Sequence, residues 1–458
     1  MFPSDDTTAA FAPAPAFAPA PACARMALTD AAHDALFGDD EGRVCRDIPE
    51  SACNAQPGNI GAHLVSLAAT KTGDGLADPK LVLAWVLNAL GAPAFLVGLL
   101  VPVREAGALV PQLFAAGAIR SLPVRKWAWA AAALIQGGAV AGMGLAVLAL
   151  EGEAAGWAVV GLLAIFALAR SVASVAYKDV LGKTVSKARR GTTTGAADTV
   201  SAAIILAFGL ALSFGVLDRS VALVAGALLA AGGCWLVAAG VFTTLKEEPG
   251  ATEGGGNAFE TAIAQLSLLR TDRQLRRFIA TRGLLIATGL APPYMVTLAA
   301  ERGGTDLSQL GPFIVASGLA SVVSSYVWGR LSDRSSRRVL IRSGAISAAA
   351  LVLALGVMVV LPADQVAAGM AGALFVLMIA YKGVRLGRAT HIVDMGSQET
   401  RAAYTALSNT AIGLLLLLAA GFGAVASLAG TWVVIAVFAA MCAGAAAAAR
   451  GLDEVQAA

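Results

Sequence analysis

Charge is what this 458-residue chain has least of: 14% of its residues are Asp, Glu, Lys or Arg, against roughly 25% in soluble domains. With 57% hydrophobic residues and a mean hydropathy of +0.73, that deficit excludes an ordinary soluble enzyme. The 33 basic residues barely exceed the 30 acidic ones. There is thus no basic excess to attract nucleic acid and no acidic surplus of a disordered, solvating chain. Cysteines are few, at 23, 45, 53, 234 and 442. None forms a C-x-x-C pair and no histidine cluster adjoins them, so neither a zinc site nor a disulfide framework is indicated. Cys45 and Cys53 lie closest together and are expected to be two ordinary thiols in a cytosolic segment. No G-x-x-x-x-G-K-[ST], HExxH or GxSxG sequence is present. The chain therefore reads as a non-enzyme without cofactor or metal.

What the chain does have is apolar length, with 50 glycines that let helices approach closely in a bilayer. The first 25 or so residues, including AFAPAPAFAPAPA, are Ala/Pro-rich and lack a basic n-region, so they are not a signal peptide; Met26 is an alternative start. With the polar, acidic stretch 27–58 they form an expected disordered cytosolic tail. From residue 59 twelve stretches approach the ~20-residue length that spans a bilayer core. Their limits are 59–87, 93–119, 127–150, 157–178, 193–215, 219–243, 277–299, 308–330, 339–361, 366–389, 404–428 and 431–449. The first has two readings, because Lys71, Asp74, Asp78 and Lys80 lie in it: a helix from 59, or one that starts only at Leu81.

The loops after the even-numbered spans 2 to 8 carry eighteen Lys or Arg residues, and the opposite loops only Arg219 and Arg302. By the positive-inside rule both termini are cytoplasmic. The expected domains are an N-terminal bundle at 59–243, a C-terminal bundle at 277–449, a linker at 244–276 and a short tail at 450–458. Within the linker, Phe259, Ile263, Leu266 and Leu269 recur at helical spacing behind a capping pair, Asn257 and Glu260, which predicts an amphipathic helix on the inner membrane surface.

Residues 329–338 read Gly-Arg-Leu-Ser-Asp-Arg-Ser-Ser-Arg-Arg. This resembles the cytoplasmic loop signature of the major facilitator superfamily, G-x-L-x-D-R-x-x-R-R. A degraded copy follows the second span, Gly117 to Lys126, with Ser121 where the acid should stand. Gly98 to Gly117 is 19 residues and Gly311 to Gly329 is 18, a spacing that supports an internal repeat and favours the earlier start of the first helix. Ala188-Arg189-Arg190-Gly191 is similar to the Arg-Gly step after helix 4 in many members. The resemblance covers 59–449 and does not identify a branch. It implies an all-α integral membrane protein of twelve transmembrane helices in two pseudo-symmetric six-helix bundles. Gly117, Arg125, Lys126, Gly329, Asp333, Arg334, Arg337 and Arg338 would form the gating motif.

Ionisable residues at membrane depth are costly and are kept mostly where they face a cavity or a partner. Lys71, Asp74 and Asp78 at i, i+3 and i+7 share one face of the first helix. Arg104 and Glu105, being adjacent, point about 100° apart. Lys382 and Arg385 lie inside the tenth helix. Arg170 is either a cavity residue or a snorkelling one, and Arg282, Arg388 and His391 lie close enough to the inner edge to snorkel. Pro292 and Pro293 are the expected hinge of the seventh helix. The proton-coupling candidates are thus Asp74, Asp78 and Glu105, with Asp74 preferred. The cavity candidates are Lys71, Arg104, Arg170, Lys382 and Arg385.

The function expected is secondary transport by alternating access of a small molecule, an organic anion by the charge count, with proton coupling. Proton-coupled efflux of lipophilic compounds, or a transport-inactive sensor or assembly factor, are the alternatives. The expected partners are a small-molecule substrate, protons and the lipid bilayer, with no nucleic acid. The expected setting is a monomer in the bacterial inner membrane.

Overall fold

The computed structural model describes residues 48, 50–112, 118–119, 121–217, 220–250, 252, 268–303, 310–395 and 401–456. Gly117, Arg219, most of the expected linker helix and the Ala/Pro-rich segment lie outside the described residues. The rest is helical: α1 (Glu50–Leu76), α2 (Val82–Ala89), α3 (Ala94–Leu109), α4 (Lys126–Ala149), α5 (Gly152–Thr184), α6 (Lys187–Ser213), α7 (Val221–Thr243), α8 (Leu268–Thr271), α9 (Arg273–Leu285), α10 (Ala287–Gly303), α11 (Leu310–Arg334), α12 (Ser336–Val360), α13 (Ala363–Met395), α14 (Arg401–Ala419), α15 (Gly421–Ala429) and α16 (Thr431–Ala449). With α1 and α2, α9 and α10, and α14 and α15 each taken as one interrupted pass, the described helices are consistent with twelve passes. Among the described residues, nine helices are long and apolar enough to cross a membrane. The chain is a multi-pass membrane protein, and Leu418, Val359 and Leu428 turn outward where lipid would lie.

The first pass starts early, as the repeat required. It begins at Glu50 and so takes in residues 50–58, which the polarity of that stretch assigned to the tail. Its interruption has a local cause. Pro79 disfavours the helical conformation at the residue before it, and Asp78 fills the gap: its Oδ1 accepts from the amides of Lys80 (2.7 Å) and Leu81 (3.0 Å). Two amides of the turn between α1 and α2 are thereby satisfied. Cys53 also departs from expectation, being disulfide-bonded rather than an ordinary thiol.

In each half, small residues bring helices close. In the N-terminal half α4 lies against α7 so tightly that a Cβ on Gly232 would stand 2.9 Å from the Gly137 carbonyl oxygen. The two longest helices, α5 and α13, have 33 residues each and occupy equivalent positions as fourth and tenth passes. Helix ends carrying basic loops meet within each half, at Arg125, Lys183 and Glu247 in the first and at Arg277, Arg337 and Arg450 in the second, and these mark the basic end. The halves meet closely at the opposite, far end. There Asn88 donates to Thr297 Oγ1 (3.0 Å). A Cβ on Gly98 would lie 2.6 Å from Gly423 Cα, and one on Gly311 would lie 2.7 Å from the Ser213 amide nitrogen.

Candidate substrate cavity and charge network

The charges of the first pass do not form one cluster; the structure separates them into three. Asp74 is gripped from two helices, by Arg104 of α3 (2.8 Å) and Arg170 of α5 (2.7 Å), and Arg104 also lies over the Phe166 ring at 4.7 Å. All of these belong to the N-terminal half, so the arrangement braces that half internally. Lys71 pairs with Asp198 of α6, a residue that sequence reasoning passed over within GTTTGAADTV. Asp78 is engaged by backbone amides at the helix break.

Glu105 faces elsewhere. It lines a cavity of about 100 Å³ between the halves together with Lys80 from the helix break, Arg282 of α9, and Tyr381, Arg385 and Arg388 of α13. Lys80 crosses from one half to the other: its Nζ donates to Tyr381 Oη (2.8 Å) and sits 4.1 Å from the ring centroid. Arg282 is 8% exposed and donates to Ser408 (2.7 Å) and Asn409 (2.9 Å) of α14. It is therefore held inside the protein and does not snorkel to the edge. Of the expected cavity residues, Arg385 lines this space, Arg104 and Arg170 hold Asp74, Lys71 holds Asp198, and Lys382 is its half-buried neighbour on α13. Lys80, Arg282, Tyr381 and Arg388 complete it. Tyr381, Arg385 and Arg388 were legible as one face, since i, i+4 and i+7 coincide on a helix; Lys80 was hidden by Pro79 and the break.

The gating residues also fall into two groups. In the degraded copy of the motif, acids from other parts of the chain engage the basic residues. Arg125 forms an ion pair with Asp179 of α5. Glu247, beyond α7 and with its side chain fully buried, accepts from the amides of Arg125 (3.0 Å) and Lys126 (2.7 Å) and pairs with Lys183 (2.9 Å). The Lys126 ammonium closes the set on the carbonyls of Thr243 (2.9 Å) and Leu245 (2.6 Å). In the intact copy, residues expected as a loop are largely helical. α11 runs through Gly329 and Asp333 to Arg334, and Ser335 alone separates it from α12, capping that helix by accepting from the Arg338 amide (3.0 Å). Arg334 and Arg338 are exposed.

The C-terminal residues strap this end of the second half. Arg337 donates to the Arg450 carbonyl (2.6 Å), Arg277 to that of Gly451 (2.7 Å), and Ser335 to Glu454 (2.7 Å), while Leu452 is buried. His391, stacked 5.3 Å from Phe278 and 3.0 Å from Ser336 Oγ, belongs to the same packing. Pro292 and Pro293 sit inside α10, whereas the seventh pass is interrupted at Ile286, more than a turn earlier. Proline clashes with the carbonyl four residues before it, so the strain falls on the segment leading into α10.

A larger, almost wholly apolar groove of about 820 Å³ runs along the outside of α9, α14, α15 and α16, lined by Ile279, Leu284, Leu418, Phe422 and Met441, with Arg276 as its one charged residue. Size does not make it the substrate site, since nothing in it converges on a reacting or coordinating group. Ile286 borders both spaces.

A charged cleft between two six-helix halves defines a membrane carrier. The chain belongs to the Major Facilitator Superfamily, whose family model matches residues 66–414. No curated protein matches it in sequence. Among solved structures it is similar to the nucleoside transporter NupG (12% identity, TM-score 0.61, covering 86% of this chain and 98% of that one). It is also similar to a D-xylose-proton symporter (14%, 0.62, 87% and 98%) and to the inward-open xylose transporter XylE from E. coli (12%, 0.60, 85% and 95%). At these identities the likeness is one of fold, and family and fold together make the protein a secondary transporter.

Proposed function

We propose that this carrier moves a small organic anion in company with protons, through a cavity that opens alternately to the two sides of a bacterial inner membrane. The observation that supports the anion is the lining of the cavity: Lys80, Arg282, Arg385 and Arg388 against the single carboxylate of Glu105. Four cations around one acid are costly to keep at membrane depth unless a negative solute shares the space. At about 100 Å³ the cavity also falls below the roughly 300–1,000 Å³ of sites for drug-sized ligands. The apolar groove on the outer face is the feature that lipophilic efflux would use, and it favours that second reading.

Coupling is assigned to Glu105. It faces cations from the other half, so its charge bears on how the halves sit, whereas Asp74 is held by two arginines of its own half. Protonated Glu105 leaves the cations to the solute; ionised Glu105 competes with it. With the basic end cytoplasmic, as the loop charges favour, the close contacts of Gly98, Asn88 and Gly311 shut the outer end and the cavity is served from the cytosol.

The test is flux in proteoliposomes loaded with a pH-sensitive dye. Addition of small carboxylates should move protons with the anion, and Glu105→Gln should abolish gradient-driven accumulation yet leave anion exchange. Proton movement elicited only by lipophilic compounds would replace this reading with efflux. Absence of flux for every solute would favour the sensor alternative.

A further inference from the structure

The cavity is not uniformly basic; it has two poles. Tyr381, Arg385 and Arg388 lie on one face of α13, and the seven residues from Tyr381 to Arg388 rise about 10 Å along the axis. At the Tyr381 end the cation is Lys80, whose backbone is fixed by Asp78 and whose ammonium is fixed on the Tyr381 hydroxyl. At the other end stand Arg388 and Arg282. Arg282 is immobilised on α14 by Ser408 and Asn409. Among the described residues its buried Nε–H has no partner, and the Arg282 side chain borders the cavity. An orphan donor on a buried guanidinium costs free energy, and it is removed when a solute oxygen accepts from it. Glu105, from α3 of the other half, borders the same cavity.

Building on the anion reading above, we propose that the substrate is a short linear dianion, a dicarboxylate, held at one end by Lys80 with the Tyr381 hydroxyl and at the other by Arg282 with Arg388. The cavity sets the size: about 100 Å³ holds a chain of a few carbons and no drug-sized ligand. The charge sets the class: with Glu105 protonated in the loaded state, a monoanion offsets one of the four cations and a dianion two. A planar carboxylate also suits the guanidinium of Arg282, whose fork geometry matches two oxygens.

The full chain, purified in detergent, is titrated calorimetrically with succinate and glutarate, and with butyrate and valerate as one-ended chains of the same length. The dicarboxylates should bind at least about tenfold more tightly, the worth of one charge-assisted hydrogen bond. Lys80→Gln and Arg388→Gln should each erase most of that preference and leave the monocarboxylates within about threefold. Both variants are first shown to be monodisperse, and Arg282→Lys, which keeps the charge but loses the fork, supplies a third that should weaken the dicarboxylates alone. Equal binding of one- and two-ended acids, or a dicarboxylate preference that survives Lys80→Gln and Arg388→Gln, overturns the two-pole site and leaves the anion reading standing. No binding of any carboxylate, with flux of other solutes intact, overturns both.

Discussion

Replacing Asp74 by Asn tests how the N-terminal half is braced. The carboxylate lies between Arg104 at 2.8 Å and Arg170 at 2.7 Å, with side-chain exposures of 22% for Asp74, 15% for Arg104 and 32% for Arg170. Removing one partner of a buried pair costs about 3–5 kcal/mol, because the remaining charge is left without compensation. Two arginines would be left here, but both are partly wetted, so the lower bound applies, about 3 kcal/mol. The assay is equilibrium unfolding in SDS-containing mixed micelles, carried out as a double-mutant cycle with Arg170→Gln. Taking away one of the two stranded arginines should recover part of the loss, giving a coupling energy of about 1–3 kcal/mol. Losses that simply add to within about 0.5 kcal/mol would show that the two residues do not act on each other, and the brace would be refuted.

Three further outcomes are expected. Gly98→Val places a side chain where a Cβ already comes within 2.5 Å of Tyr294 Oη and 2.6 Å of Gly423 Cα, so the far end should not close; a cysteine placed at Asn88 should then be labelled faster by an impermeant maleimide, and unchanged labelling would remove this contact from the gate. Glu247→Ala leaves two buried amides without an acceptor and takes from Lys183 one of its two carboxylate partners, and should lower the unfolding free energy by about 2 kcal/mol, whereas a loss under about 0.5 kcal/mol would show that Glu247 does not hold this end of the bundle. Outside the spans, burial pushes the Asp272 carboxyl up, but the Tyr404 hydroxyl (2.5 Å) and the amides of Gln274 and Leu275 outweigh it and hold the group below its ordinary 3.8. Its contribution is therefore present above pH 3.8 and is lost as the pH falls through the lower folded value, so Tyr404→Phe should move acid unfolding to a higher pH; an unmoved midpoint would contradict that assignment.

Membrane residence, the twelve passes and the family were legible in the sequence because each depends on something local. A run of about 20 apolar residues needs no distant partner to demand a bilayer. The Gly-Arg-Leu-Ser-Asp-Arg stretch is read within ten positions, and the spacing of Gly98 from Gly117 against Gly311 from Gly329 placed the early start of the first helix. Charge partnership is different, because it is settled between passes far apart in the chain. Asp74, Asp78 and Glu105 look equivalent along the sequence. Only packing gave Asp74 two arginines of its own half, turned Asp78 to the amides around Pro79, and set Glu105 opposite Lys80, Arg385 and Arg388. Folding likewise brought Glu247 to the amides of Arg125 and Lys126, and fastened Arg282 to Ser408, 126 positions away. Hydrophobic burial is non-directional and can be summed along a chain, whereas an ion pair requires particular atoms to meet within a few ångströms. That meeting is decided by how the helices cross.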